Sequence, residues 1–119
     1  MSQPMSDLIL ILTTMPDDDR AGELARTLVE ERLAACVNVH PAMTSVYRWQ
    51  GKVEAAPERQ LVIKTTRARL PEIEARIRAL HPYDLPECVV LEAQASDAYS
   101  EWVTASVVSG SSRTGGDAK

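Results

Sequence analysis

Three features of the sequence predict an α+β fold built on one antiparallel sheet. Short apolar runs, Leu8 to Leu12 and Val89 to Leu91, have strand length and composition. Two stretches, from Ala21 to Leu33 and from Leu70 to Leu80, carry apolar residues at helical spacing. Between them, Cys36 to Thr66 alternates with period two around a Gln50-Gly51-Lys52 reversal, as two long antiparallel strands of one hairpin do. In chain order these make β-α-β-β-α-β, the ferredoxin-like split arrangement. Four antiparallel strands are covered on one face by both helices, the second and third strands form a long hairpin, and an extra helix closes the chain.

Taken in order, residues 1–6 are expected to be disordered, residues 7–108 to form a single domain, and residues 109–119, rich in Ser, Gly and Thr, to be a disordered tail. The first strand spans Asp7 to Thr14, and its unbroken Leu-Ile run implies burial on both faces. Met15-Pro16-Asp17 ends it. Asp17, Asp18 and Asp19 then supply an N-cap and oppose the positive end of the first helix. That helix turns Ala21, Leu24, Ala25, Leu28 and Val29 inward. The hairpin follows, with its first arm bent at Pro41. Tyr47 and Trp49, two residues apart, share a face, and they are two of only five aromatic residues in the chain. A small domain has little with which to cover such an arm, so a partner subunit is expected to do so.

Pro71 suits the first turn of the second helix, whose stripe is Leu70, Ile73, Ile77 and Leu80. His81 precedes Pro82 and is pushed out of helical angles, which stops the helix there. The loop His81-Pro82-Tyr83-Asp84-Leu85-Pro86-Glu87 holds two prolines and leads to the last strand, Cys88 to Ala93. Ser96 or Asp97 caps a final helix with Tyr99, Trp102, Val103 and Val107 on one side. The two main helices lie on one sheet face, so the other face needs either this last helix or another subunit.

At 119 residues the chain has room for one core, burying roughly 65% of the surface exposed by its unfolded form. A formal charge of −4 without a broad basic face argues against nucleic-acid binding. Five apolar residues after Asp7 are too few for a signal core or a membrane span, so a cytoplasmic protein away from the membrane is expected. Cys36 and Cys88 have no metal-knuckle or redox spacing and read as buried thiols. Catalytic patterns are missing: there is no glycine-rich phosphate loop, no HExxH and no Gly-x-Ser-x-Gly turn. Cys36 and His40 on one extended strand are about 13 Å apart, too far for a nucleophile and its base. No enzyme activity is expected.

Four segments in order, Glu31 to Asn38, Ser45 to Lys52, Lys64-Thr65-Thr66 and His81 to Glu87, resemble the CutA divalent-cation tolerance proteins. The likeness runs from Leu8 to about Val107. It implies a homotrimer with a topology similar to the PII signalling proteins, and a role in tolerance of copper and other divalent cations without established catalysis. The trimer would place Tyr47 and Trp49 near subunit boundaries. The copper ligands implied by the resemblance are a Cys at the end of the first strand and two adjacent His. Thr13 stands at the first of these positions and Leu80 at the second, leaving His81 as the metal candidate. Thr and Leu offer a soft cation almost nothing.

His81 has two readings, a metal or ligand contact and a helix-end imidazole bonded to carbonyls. Lys64, Tyr83 and Glu87 either line an inter-subunit cleft with Tyr47 and Trp49, or hold subunits in register. Two functions follow. The first is a homotrimer for divalent-metal response, with no required cofactor and copper or another divalent cation as its ligand. The alternative is a PII-like signalling module that binds a small anionic ligand or a partner protein in clefts between subunits.

Overall fold

The computed structural model describes residues 7–108; the disorder expected for residues 1–6 and 109–119 lies outside them. Five strands and three helices follow one another as β1 (Leu8–Pro16), α1 (Arg20–Glu30), β2 (Cys36–Val39), β3 (Met43–Trp49), β4 (Lys52–Thr66), α2 (Leu70–Leu80), β5 (Val89–Glu92) and α3 (Asp97–Ser106). A 3₁₀ turn at Arg67–Arg69 leads into α2. The strands form one antiparallel sheet in the order β2-β4-β1-β5, with β3 also paired to β4. The predicted α+β arrangement is present. It carries one strand more than expected, because the first arm of the hairpin divides into β2 and β3.

Pairing along β1 and β4 is in phase, Leu8 opposite Thr66 through Pro16 opposite Glu58, so odd-numbered residues of both share one face. On that face Ile9, Ile11, Met15, Leu61 and Ile63 meet Leu24 and Leu28 of α1 and Ile73 and Ile77 of α2, all essentially sealed from solvent. Fully burying side chains of this size stabilises the fold by roughly 1.5–3 kcal/mol each.

Even-numbered residues point the other way. Lys64 is among them and places its ammonium 5.9 Å from the centre of the Tyr99 ring, which puts α3 over this second face. Val103 of α3 and Val107 at its C-cap are buried. Cover is incomplete: a row formed by Val62, Leu12 and Val89 and a second containing Leu10 and Leu91 cross the sheet side by side. Val89 and Leu91 remain 44% exposed. Burial of β1 on both faces, expected from its unbroken apolar run, is complete on the core side; Leu10 and Leu12 are half-buried.

Several boundaries move for identifiable reasons. β1 runs through Pro16, since β4 is long enough to pair with it up to Glu58. α1 begins at Arg20, and Asp19 at its N-cap makes no side-chain bond. Asp18 does the capping instead, its Oδ1 accepting the Arg20 amide at 2.9 Å while the carboxylate pairs with the Arg20 guanidinium at 2.8 Å. Val29, expected inside, is 41% exposed, because the stripe that meets the sheet is Ala21, Leu24, Ala25 and Leu28. α2 stops at His81, whose extended angles (φ −80°, ψ 135°) are those a following proline demands. Ser96 caps α3 by accepting the Tyr99 amide at 3.3 Å.

The hairpin tip is a two-residue turn, Trp49 facing Lys52 across Gln50 and Gly51. Both turn residues have positive φ, 51° and 82°, the condition that lets a tight turn follow the twist of its strands.

Candidate functional site

A one-residue offset in the first arm of the hairpin builds the site. β2 pairs with β4 from Cys36 opposite Lys64 to Val39 opposite Leu61, whereas β3 resumes with Met43 opposite Glu58. His40, Pro41 and Ala42 therefore face only Arg59 and Gln60. The extra residue is a bulge, anchored by the His40 amide donating to the Gln60 carbonyl (2.9 Å) and Arg59 Nε donating to the His40 carbonyl (2.9 Å). Before the bulge, Val37 and Val39 share the core face with Leu61 and Ile63. After it, Met43, Tyr47 and Trp49 share the opposite face with Glu58. Without that extra residue the two rings of the arm would turn to the helix side of the sheet.

Opposite the arm stands the loop from His81 to Glu87, held at both ends of its first turn. The Tyr83 amide donates to His81 Nδ1 (3.2 Å), so that nitrogen is the acceptor and Nε2 carries the proton, donating to the Thr14 carbonyl at 2.6 Å. His81 is 8% exposed, and burial lowers its affinity for a second proton. Its ring stacks obliquely on Tyr83, with centroids 4.7 Å apart. Tyr83 in turn donates its hydroxyl to Glu58 Oε2 at 2.7 Å. Burial first, and that bond second, push the phenol pKa well above its usual value, so Tyr83 remains a donor.

Between arm and loop lies a groove of about 930 Å³. Tyr47, Trp49 and Tyr83 supply its rings, and Glu58, Asp84 and Glu87 its carboxylates; among the described residues no lysine or arginine lines it. Tyr47, Trp49, Tyr83 and Glu87, four residues singled out in the sequence, thus gather around one space. Lys64 stays apart, beneath α3. Glu58 was not singled out. It sits beside Pro57 in what reads as an exposed arm, and its one signal is a place in phase with Gln60, Val62 and Lys64 on the second sheet face.

The metal candidates are dispersed differently. Thr13 is fully buried, with Oγ1 lacking a partner among the described residues, and Leu80 is 44% exposed. A cation at His81 would need the Nδ1 lone pair that the Tyr83 amide already uses. Among the described residues no group of three His, Cys, Asp or Glu could hold a metal ion. The described residues of one chain therefore do not fit a copper centre.

The model of the CutA1 divalent ion tolerance protein family matches residues 9–106. The chain belongs to that family. The divalent-cation tolerance protein CutA of Thermus thermophilus is 46% identical over 95 residues, 79% of this chain and 92% of the relative. Its counterpart in Pectobacterium atrosepticum is 41% identical over 106 residues, covering 88% and 96% of the two chains. Among solved structures, CutA from Xylella fastidiosa superposes with a TM-score of 0.83 at 42% identity, over 87% of this chain and all of that one. The groove is thus part of a CutA fold, and the four segments that suggested the family all lie within the matched range.

Proposed function

We propose that this chain acts in divalent-cation tolerance, copper among the cations, as a cytoplasmic homotrimer with no catalytic chemistry of its own. Family membership is the observation that carries this reading. The assembly is supported by the apolar rows on the second sheet face, where Val89 and Leu91 stay 44% exposed beside Leu10 and Leu12, and by an arm that presents Tyr47 and Trp49 at 41% exposure each. Exposed apolar patches of this kind are what a sibling subunit covers. Among the described residues no helix is long and apolar enough to cross a membrane.

Metal contact, on this reading, draws on donors from more than one subunit, since the described residues of one chain gather no sufficient set. Calorimetric titration of copper and zinc into metal-free protein tests it. Saturable heat with a stoichiometry below one ion per chain is expected, and absence of heat with both ions would overturn direct binding while leaving the family intact.

The alternative, a PII-like module for a small anionic ligand, draws less support from this groove. Among the described residues its lining carries three carboxylates and no cationic side chain.

A further inference from the structure

The bond between Tyr83 and Glu58 can do more than anchor a loop. Of the three tyrosines, Tyr83 is the one whose hydroxyl points at a carboxylate among the described residues, 2.7 Å from Glu58 Oε2. A phenol that loses an electron becomes a strong acid, so the loss is easy only where a base takes the proton in the same step. Here the proton has a hydrogen bond to travel along. The O–H bond of Tyr83 breaks, the electron passes to an oxidant, and the proton joins Glu58, leaving a neutral phenoxyl radical beside a neutral carboxylic acid. The pair goes from one negative charge to none. Because Glu58 is only 8% exposed, oxidation removes a charge that burial disfavours. Nothing has to enter the groove, so the step is the same with a sibling subunit over this face.

The other rings are less suited. The Tyr99 hydroxyl is sealed from solvent and has no partner among the described residues to take its proton. The Lys64 ammonium, 5.9 Å from the centre of that ring, opposes loss of an electron from it and from Trp102, packed 5.4 Å away. Tyr47 and Trp49, each 41% exposed, have water as acceptor, a far weaker base than a carboxylate. Around Tyr83 no such cation intervenes: burial keeps the imidazole stacked on it neutral, and the nearby Arg20 guanidinium is paired with Asp18 at 2.8 Å.

We propose that Tyr83 is the residue on which a one-electron oxidising equivalent settles in this chain, as a neutral radical hydrogen-bonded to protonated Glu58. The co-reactant is an outer-sphere one-electron oxidant, which draws the electron through packed protein without touching the phenol. This redox role is independent of the cation reading above: either stands if the other fails.

Flash photolysis of tris(bipyridine)ruthenium(II) with a cobalt(III) quencher generates such an oxidant in a solution of the full chain, and electron paramagnetic resonance of the frozen sample identifies the radical. Ring-deuterated tyrosine is expected to narrow the parent signal, which assigns it to a tyrosine. Tyr83→Phe is expected to remove that signal, while Tyr47→Phe and Tyr99→Phe keep it. Glu58→Gln still accepts the hydrogen bond but is no base, and is expected to slow radical formation, followed by transient absorbance, by about a hundredfold, the scale of a positioned base. Two readouts need no variant. After exchange into heavy water the parent radical is expected to couple to one hydrogen-bonded deuteron, and its yield to stay level from about pH 6 to about pH 9, since the proton stays within the pair. The proposal is overturned if the tyrosyl signal survives Tyr83→Phe, if a tryptophan carries the parent signal, if Glu58→Gln forms the radical as fast, or if the coupled deuteron is missing.

Discussion

Replacing Tyr83 with Phe isolates the bond that ties the 82–87 loop to the sheet. The ring and its contact with His81 are kept, so no cavity opens, and only the hydroxyl 2.7 Å from Glu58 Oε2 is lost. Hydrogen bonds to a charged group contribute about 1.5–3 kcal/mol, and the acceptor here is a carboxylate only 8% exposed. The expected cost is about 2 kcal/mol, roughly a thirtyfold shift in the folding equilibrium. Urea unfolding at one fixed protein concentration measures it, since association would couple stability to concentration.

The same variant changes the alkaline limb. The folded chain holds the Tyr83 proton above its ordinary pKa of about 10, and the unfolded chain releases it there. This stabilisation is full below about pH 10 and is lost as pH rises toward the folded value, so the parent's decline beyond pH 10 should be shallower in Tyr83→Phe. Repeating the substitution in a Glu58→Gln background should cost less, about 1 kcal/mol, because the acceptor is then neutral. A loss under about 0.5 kcal/mol in the parent background, with an unchanged alkaline slope, would refute the role given to this bond.

Two further substitutions probe buried polar groups. Thr13→Val keeps the shape and removes an Oγ1 that has no partner among the described residues, and is expected to stabilise the chain by about 1 kcal/mol in the same urea assay. His81 titrates in the opposite sense to Tyr83: burial keeps its folded pKa low, so only the unfolded chain gains a proton as pH falls below about 6.5. Stability is full above that pH and falls through the window between the two values; His81→Gln should flatten this acid slope, measured by urea midpoints from pH 7 to pH 4.5.

What could be read from the sequence was what local pattern dictates. The stop at His81, the cap at Ser96 and the turn at Gln50-Gly51 follow from backbone chemistry within a few residues, and each is where it was expected. The core face follows from phase: odd residues of β1 and β4 meet the apolar stripes of α1 and α2. Pro57 lies inside β4, where a proline ordinarily argues against a strand. It is tolerated because β1 pairs only as far as Glu58, leaving Pro57 with β3 alone beside it.

The groove was legible only in its walls. Tyr47 and Trp49 announced a shared face, but which face depended on a single extra residue near Pro41, and period-two patterning cannot settle an offset of one. Glu58 was invisible because its hydrogen-bond partner, Tyr83, lies 25 positions away, so the contact exists only once the sheet has formed. His81 invited a metal reading through its residue type, while its environment is set by the Thr14 carbonyl, 67 positions distant.

The account rests most heavily on apolar sheet surface that one chain leaves bare. Sedimentation equilibrium at micromolar concentration addresses it directly. Three chains of 13.1 kDa give a particle of about 39 kDa, which is the mass expected, and replacing the exposed Leu91 with Arg should shift the population toward single chains. A stable particle of 13.1 kDa across the concentration range would contradict the account.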